Sequence, residues 1–167
     1  EDNKVAGCVA IEIPTGKIEV FRAKAVILAT GGIGQVYSPT TNGLVVTADG
    51  QALAYKAGAT LMDMEMVQHH PTTMKANGVL LTEGARGEGA YLLNSKGERF
   101  MEKYAPNMKE LASRDVVSRA ETMEIREGRG VDGCVFLDLR HLGRDLIMTK
   151  LSQIYELARD YANTNIL

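Results

Sequence analysis

The sequence contains no tryptophan, only two cysteines and only four prolines among 167 residues. Cys8 and Cys134 are far apart, and two thiols do not make a disulfide framework. No Cys-x-x-Cys run or Cys-His cluster indicates a zinc or iron–sulfur site, so the sequence predicts no metal centre. We expect both cysteines to be reduced structural thiols.

The sequence also lacks a charge excess and a long apolar run. Nineteen Lys and Arg residues stand against 21 Asp and Glu, which gives a net charge of −2 and argues against a nucleic-acid platform. No apolar run reaches the roughly 18 residues of a membrane span. The polar start at residues 1–4 does not look like a signal peptide and lacks an initiator Met, so we expect a piece of a longer protein.

What is present in the first third is mainly a β pattern. Residues 5–13 and 17–23 are rich in β-branched side chains and flank the turn Pro14-Thr15-Gly16, which predicts a hairpin. Residues 25–29 form a continuous apolar run, which is typical of a strand buried on both faces. A helix should begin with Asp49 as its N-cap and end near Gly58.

The character changes near Met62, where we place a domain boundary. Segments 91–94 and 98–101 predict a second hairpin, and Ser113 predicts the N-cap of a helix that ends at Gly128. Residues 135–139 suit a short strand. Residues 144–161 carry an apolar stripe at helical spacing and predict one long helix.

The glycine loop Ala29-Thr30-Gly31-Gly32 after the apolar run has two interpretations. Glycines after a buried strand let the backbone approach a phosphate or a flavin closely. The alternative is an ordinary tight turn, because the run is not G-x-G-x-x-G. Asp49 could hydrogen-bond a cofactor or could act only as a helix cap.

Three polar clusters follow, at residues 68–72, 81–89 and 113–115. His70 could bind an anion or move a proton, or could be a hydrogen-bonded, half-buried histidine. Glu83 and Arg86 could form a structural salt bridge or a proton path, and Thr82 lies beside them. Arg114, in the first turn of the expected helix, could clamp a carboxylate or pair with Asp115.

The order of these motifs resembles the flavoprotein subunits of succinate dehydrogenase and fumarate reductase. The resemblance runs from about residue 23 to the end of the chain and is specific as an ordered set. The matching segments are 29–32, 41–43, 47–50, 63–72, 81–89, 98–101, 111–120, 127–130 and 137–143.

The resemblance implies an α+β fold in two parts. Residues 1–62 would be the later portion of a FAD-binding domain of the two-dinucleotide-binding type. Residues 63–167 would be most of an α+β capping domain, which closes over a C4 dicarboxylate. FAD is the implied cofactor, and the positions that match the family's FAD contacts are Ala29, Thr30, Gly31, Gly32 and Asp49.

The resemblance also implies roles in the interconversion of succinate and fumarate. His70 and Thr82 match positions that hold a substrate carboxylate. Arg114 matches the residue that gives a proton to fumarate and takes one from succinate, and Glu83 and Arg86 match its relay. Because an arginine ordinarily stays charged, spacing alone would make Arg114 a clamp, and its acid–base role comes from the resemblance.

Partners and alternatives follow from the same comparison of motifs. The family implies an iron–sulfur subunit and membrane-anchor subunits, with a cytoplasmic location at the inner membrane, or on the matrix side in mitochondria.

No N-terminal G-x-G-x-x-G and no flavin-linked histidine are present, so we expect this chain alone to be inactive. Two alternative functions stay open. One is that of L-aspartate oxidase, which shares the Thr-Glu-x-x-Arg-Gly-Glu-Gly run, and the other is that of a non-catalytic capping module.

Overall fold

A computed structural model describes residues 4–162 and 164–167, which belong to two compact units. The first unit comprises the chain up to Ser38 together with Asn42–Val67. The second comprises Pro39–Thr41 and Gln68–Leu167. Helices and short strands occur together, which agrees with a mixed α+β fold.

From residue 4 onwards, the first unit holds two strands, one 3-10 turn and one helix. These are β1 (Gly7–Glu12), β2 (Lys17–Arg22), the 3-10 turn Gly34–Val36 and α1 (Asp49–Lys56). The predicted hairpin is confirmed, because β1 and β2 pair antiparallel from Gly7 opposite Arg22 to Glu12 opposite Lys17. Gly16 permits the turn with a φ of 70° and donates its N–H to the Glu12 carbonyl at 2.8 Å.

The prediction of a buried strand at residues 25–29 is wrong. These residues form no strand, and all five are exposed. A strand buried on both faces needs neighbouring strands for its backbone hydrogen bonds and helices over its faces. Among the described residues, β1 and β2 form a two-stranded sheet of their own, and no strand pairs with this segment.

The prediction of α1 is confirmed, but the prediction of its cap is wrong. Asp49 is the first helical residue, and the N-cap is Ala48, which adopts a left-handed conformation with φ of 69°. The Asp49 carboxylate instead accepts a hydrogen bond from the Thr47 hydroxyl at 2.6 Å. The Asp49 side chain is thus bonded to the residue two positions before it, and the helix begins one residue later than the sequence predicts.

The second unit is mainly helical and contains a two-stranded sheet. Its elements are α2 (Gly84–Gly87), β3 (Tyr91–Leu93), α3 (Met101–Tyr104), a 3-10 turn (Lys109–Leu111), α4 (Arg114–Arg126), β4 (Phe136–Asp138), a 3-10 turn (Arg140–Leu142), α5 (Arg144–Lys150) and α6 (Ser152–Ala162). One buried cluster centres on Ala85, Ile147 and Ile154. The other centres on Leu92, Met101 and Val117 and lies under α4.

The second hairpin forms only in part. β3 pairs antiparallel with β4, with Tyr91 opposite Asp138. The expected partner segment contributes a single bridge between Leu93 and Arg99, and the chain becomes helical from Met101. The pairing of β3 with β4 confirms the short strand near residues 135–139. The sequence predicted this strand but did not identify the strand that pairs with it.

Of the two helices that the sequence predicted in the second unit, one is confirmed and the other is not. α4 begins after its N-cap Ser113, as predicted, although the Ser113 hydroxyl donates to Asp115 (2.6 Å). The single helix expected over residues 144–161 is wrong, because Leu151 leaves helical geometry with φ of −123° and separates α5 from α6. Leu151 and Ile154 stay buried, so the predicted apolar stripe survives the break.

Candidate functional site

The glycine loop of the first unit presents its backbone at the surface. Ala29, Thr30, Gly31 and Gly32 are all exposed. Gly31 has a φ of 75°, and its carbonyl accepts a hydrogen bond from the Gln51 side-chain amide at 2.9 Å. The Gln51 side chain of α1 therefore holds the loop in place, while the backbone of the loop remains open to a ligand.

The loop approaches the start of α1 closely. Gly50 is buried, and a Cβ atom built there would lie 1.7 Å from the Thr30 hydroxyl oxygen. The exposed glycine backbone, the helix N-terminus and the anchored Asp49 carboxylate are the groups that hold the phosphates and hydroxyls of a dinucleotide. The residues of this unit therefore fit part of a FAD site.

We expect Gly50→Ala to lower the free energy of unfolding by about 1–3 kcal/mol, because the added methyl group would overlap Thr30. Urea unfolding measures the change. Gly43→Ala is the matched control, because a Cβ at Gly43 meets nothing within 4 Å, and it should change stability by about 0.5 kcal/mol or less. Equal losses in the two variants would contradict the close approach.

The second unit brings together the three predicted acid–base residues. The Arg114 guanidinium donates from Nη2 to Glu83 Oε2 at 3.2 Å, and Arg86 Nη2 lies 3.7 Å from Glu83 Oε1. One carboxylate thus joins two guanidinium groups. The hydrogen bond from Arg114, followed by the charge of Arg86, lowers the pKa of Glu83 below 4.5. Glu83 is therefore ionised at neutral pH.

The two arginines that contact Glu83 differ in their surroundings. The side chain of Arg114 is 40% exposed and that of Glu83 is 48% exposed, whereas the side chain of Arg86 is fully buried. Arg86 Nη1 donates to the backbone carbonyl of Glu110 at 2.6 Å. Arg86 is thus a fixed inner group, and Arg114 at the start of α4 is the outer group that a ligand can reach.

His70 belongs to the same electrostatic cluster. Its Nδ1 lies 3.0 Å from the Thr72 carbonyl oxygen, and the Thr72 N–H donates to it at 3.2 Å. Burial lowers the pKa of His70 below 6.5, and the positive charges of Arg114 and Arg86 lower it further. The backbone hydrogen bond of Thr72 and the negative charge of Glu83 raise this pKa and offset part of the shift. The imidazole is therefore neutral at pH 7, with Nδ1 held by the backbone.

The backbone link between Thr72 and Leu81 holds His70 beside the segment that carries Thr82 and Glu83. The Leu81 N–H donates to the Thr72 carbonyl at 3.1 Å, and the Thr72 hydroxyl donates to the Leu81 carbonyl at 2.8 Å. Thr82 itself is exposed, and its hydroxyl accepts the Gly84 N–H at 3.3 Å. Its hydroxyl remains within reach of a ligand.

Three participants in this cluster had no role assigned from the sequence. Gln68 Oε1 accepts a hydrogen bond from Arg114 Nη1 at 3.2 Å, so the guanidinium has two side-chain partners. Glu110 fixes Arg86 through its backbone carbonyl, and Glu121 lies buried in the field of Arg86. Only Gln68 carries a signal in the sequence, because it belongs to the motif at residues 68–72.

The side chains of this cluster have the chemistry that an anion site and a proton path require. Arg114 and neutral His70 can hold a carboxylate, and Glu83 can take up or release a proton between two guanidinium groups. Within residues 4–162 and 164–167, no group of three His, Cys, Asp or Glu side chains could hold a metal ion. None of the helices in that part of the chain is long and apolar enough to cross a membrane.

Comparison with known proteins gives consistent matches. Residues 1–166 match a family described as the FAD binding domain. The chain is 51% identical to the succinate dehydrogenase flavoprotein subunit of Rickettsia conorii, over 99% of this chain and 28% of that protein. It is 49% identical to the fumarate reductase flavoprotein subunit of Mycobacterium tuberculosis, over 96% of this chain and 30% of that protein.

A solved structure gives the same result. A variant of E. coli quinol fumarate reductase FrdA matches 100% of this chain and 31% of its own, with a TM-score of 0.92 and 40% sequence identity. This chain therefore spans less than a third of the length of the relatives that it matches.

Proposed function

The chain belongs to the FAD-binding family of succinate dehydrogenase and fumarate reductase flavoproteins, and we propose that it forms part of an oxidoreductase that interconverts succinate and fumarate. The observation that carries this proposal is the connected series Arg114, Glu83 and Arg86. Such a series can move a proton to or from a bound dicarboxylate, which the interconversion requires.

Each residue of the cluster has a role in this proposal. His70 and Thr82 hold a substrate carboxylate. The ring Nε2 of His70 and the hydroxyl group of Thr82 are available for this contact. Arg114 gives a proton to the substrate carbon in fumarate reduction and takes one in succinate oxidation. Glu83 and Arg86 return a proton to Arg114 in fumarate reduction and carry it away in succinate oxidation. The acid–base role of Arg114 requires a dry site in which a carboxylate stabilises the guanidinium while charge develops on the substrate.

FAD, when bound, would supply or accept the hydride in this interconversion. We assign its contacts on this chain to the loop Ala29, Thr30, Gly31 and Gly32 and to Asp49. In domain terms, residues 1–62 are the later portion of the FAD-binding domain, and residues 63–167 are most of the capping domain. We expect the chain alone to be inactive, because it spans less than a third of the length of its relatives.

Partners follow from the relatives. The solved structures include a quinol fumarate reductase, and one curated relative is a mitochondrial ubiquinone-linked succinate dehydrogenase subunit from rice. We propose an iron–sulfur subunit and membrane-anchor subunits as partners, which would hold the protein at the inner membrane. L-Aspartate oxidase remains the second candidate function, because the run at residues 82–89 also suits that enzyme.

The proposal predicts both a cofactor and a substrate preference. The protein, expressed at the full length that its gene encodes, should carry a visible flavin absorption band. It should turn over succinate or fumarate and not L-aspartate. Visible absorption, extraction of the flavin and steady-state assays with the three substrates measure this.

The same measurement on residues 1–167 tests the expectation for this chain alone. A colourless and inactive chain agrees with a site that further residues complete. A full-length protein that oxidises L-aspartate and leaves succinate and fumarate unchanged would contradict the proposed substrate. A full-length protein without flavin would contradict the proposed cofactor.

A further inference from the structure

Among the described residues, the buried guanidinium of Arg86 makes one hydrogen bond. Nη1 donates to the backbone carbonyl of Glu110 at 2.6 Å, whereas Nε and Nη2 are buried without a hydrogen-bond partner. The contact of Nη2 with Glu83 is an ion pair at 3.7 Å, which is longer than a hydrogen bond. The position of Arg86 therefore depends on where the Glu110 carbonyl lies.

The side chain of Glu110 anchors the turn that carries this carbonyl. Glu110 lies in the 3-10 turn Lys109–Leu111, which packs against α2, and it is only 2% exposed. Its Oε1 accepts hydrogen bonds from the Leu92 N–H at 3.2 Å and from Arg99 Nε at 2.9 Å, and its Oε2 accepts one from Arg99 Nη2 at 2.6 Å. One glutamate thus joins β3 and Arg99 through its carboxylate and α2 through its carbonyl.

Arg99 is held in place from a second side. Its guanidinium carbon lies 3.9 Å from the centre of the Tyr91 ring on β3, while two of its nitrogens bind the two carboxylate oxygens of Glu110. Burial by itself would raise the pKa of Glu110, but hydrogen bonds from Arg99 and from the backbone lower it below 4.5 overall. Glu110 is therefore charged at neutral pH, and the paired geometry persists there.

The backbone of the turn is strained next to Glu110. Lys109 adopts a φ of 46°, in the left-handed region that a lysine rarely occupies. Such a conformation persists only where surrounding contacts hold it. The buried carboxylate of the next residue supplies contacts of this kind, so the turn should relax when they are lost.

We propose that Glu110, clamped by Arg99, is a positioning residue for Arg86 in the proton series. It acts on the reaction only through Arg86, by fixing Nη1 and so setting the distance from Nη2 to Glu83. This inference rests on the proposed function, since the position of Arg86 matters for catalysis only if Arg86 and Glu83 carry a proton.

The test compares Glu110→Gln with the parent in the full-length protein with FAD bound. Steady-state fumarate reduction is measured per bound flavin. We expect kcat to fall by about tenfold or more, because small displacements of a catalytic group are costly, while KM for fumarate should not rise. The solvent deuterium isotope effect on kcat should increase, since proton delivery through a displaced Arg86 then limits turnover.

Glu102→Gln is the matched control. Glu102 lies 3.6 Å from the same arginine, Arg99, and pairs with Lys109 of the same turn at 2.8 Å, but its side chain is 54% exposed. It should retain kcat within about twofold and the isotope effect of the parent, because exposed ion pairs contribute little. Equal losses in the two variants would overturn the role of the buried carboxylate.

Arg99→Lys tests the clamp without removing a charge. Its single ammonium group cannot reproduce the fork that binds both oxygens of Glu110, so kcat should fall by about threefold or more and the isotope effect should rise. This variant decides the matter if Glu110→Gln does not fold. Parental kcat and isotope effect in Arg99→Lys would overturn the clamp.

A crystal structure of the full-length Glu110→Gln variant gives a measurement that does not depend on turnover. Arg86 Nη1 should move to more than about 3.5 Å from the carbonyl of residue 110. An unmoved Arg86 would overturn the proposal even if kcat falls. A displaced Arg86 with parental kcat would overturn it as well, and so would a variant that differs only in its melting temperature.

The two proposals fail in different ways. A protein that turns over no C4 dicarboxylate would refute the proposed function, and the crystal structure of Glu110→Gln then decides whether Glu110 positions Arg86. A protein that is active, with the same kcat and isotope effect in Glu110→Gln and in the parent, would overturn the positioning role and leave the proposed function intact.

Discussion

Replacement of Arg114 with alanine should lower kcat for both succinate oxidation and fumarate reduction by about a thousandfold in the full-length protein, because a positioned proton donor contributes about that much. Lysine should not rescue the activity. The guanidinium engages Gln68 and Glu83 through two different nitrogens, 3.2 Å from each acceptor, and a single ammonium group cannot reproduce that fork. Steady-state kinetics in both directions measure the loss.

Arg119 provides a matched control on the same helix. Its side chain is 71% exposed and pairs with Asp115 at 2.6 Å, away from the cluster. Arg119→Ala removes the same charge from α4 and should leave kcat within about twofold of the parent, since exposed ion pairs contribute little. A large loss in this variant, or a small loss in Arg114→Ala, would contradict the assignment of the proton donor.

The titration of Glu83 reports on the same contact without any turnover. Its pKa lies below 4.5 chiefly because Arg114 donates a hydrogen bond to its carboxylate. Arg114→Ala should therefore raise the pKa of Glu83 towards its ordinary value, whereas Arg119→Ala should not change it. Nuclear magnetic resonance of a labelled glutamate side chain distinguishes the two variants and shows that the lost activity comes from the cluster.

The sequence predicted best the elements whose signals are local. The hairpin of β1 and β2 follows from alternation around Pro14-Thr15-Gly16, and α4 follows from its cap at Ser113 and the glycine after it. The residues Arg114, Glu83 and Arg86 were expected together from motif order, and the structure gives them a connected geometry. Neighbouring residues determine such features, so one sequence suffices to find them.

Features that depend on distant parts of the chain could not be predicted in this way. The apolar run at residues 25–29 is typical of a buried strand, but strand formation depends on partners that sequence periodicity does not identify. The helix break at Leu151 has no glycine or proline to mark it. The burial of Arg86 on α2 and the effect of its charge on Glu121 of α4 depend on residues that lie far apart in sequence.

The largest stability effect should come from Glu124, another buried carboxylate of α4. It is 1% exposed and accepts hydrogen bonds from Asn94 (2.9 Å), from the Tyr104 hydroxyl (2.8 Å) and from two nitrogens of Arg129 (2.7 Å each). Glu124→Ala leaves the Tyr104 hydroxyl and Arg129 Nε without this acceptor, whereas Asn94 keeps Glu98 and Arg129 Nη2 keeps Glu127 as partners. We expect it to lower the free energy of unfolding by about 3–5 kcal/mol, as measured by urea unfolding.

Glu127→Ala is the matched control, because Glu127 pairs with the same arginine but lies at the surface. It should cost about 1 kcal/mol or less, since exposed ion pairs are weak. Equal costs in the two variants would indicate that the charge of Arg129, rather than the buried hydrogen bonds of Glu124, provides the stability.

The pH dependence separates these contributions further. The hydrogen bonds from Arg129 lower the pKa of Glu124 from 4.5 to about 2. Between these values the unfolded chain binds more protons than the folded one, so the stability that Glu124 provides is present above about pH 4.5 and is lost as the pH falls towards 2. Glu124→Ala should therefore flatten the acid side of the stability curve.

Glu121 affects stability in the opposite direction. Its pKa is raised, so the free energy of unfolding that it costs grows as the pH rises from 4.5 to about 8. Two glutamates three residues apart on one helix thus limit stability at opposite ends of the pH range, because hydrogen bonds from Arg129 favour the charged form of one and burial disfavours the charged form of the other.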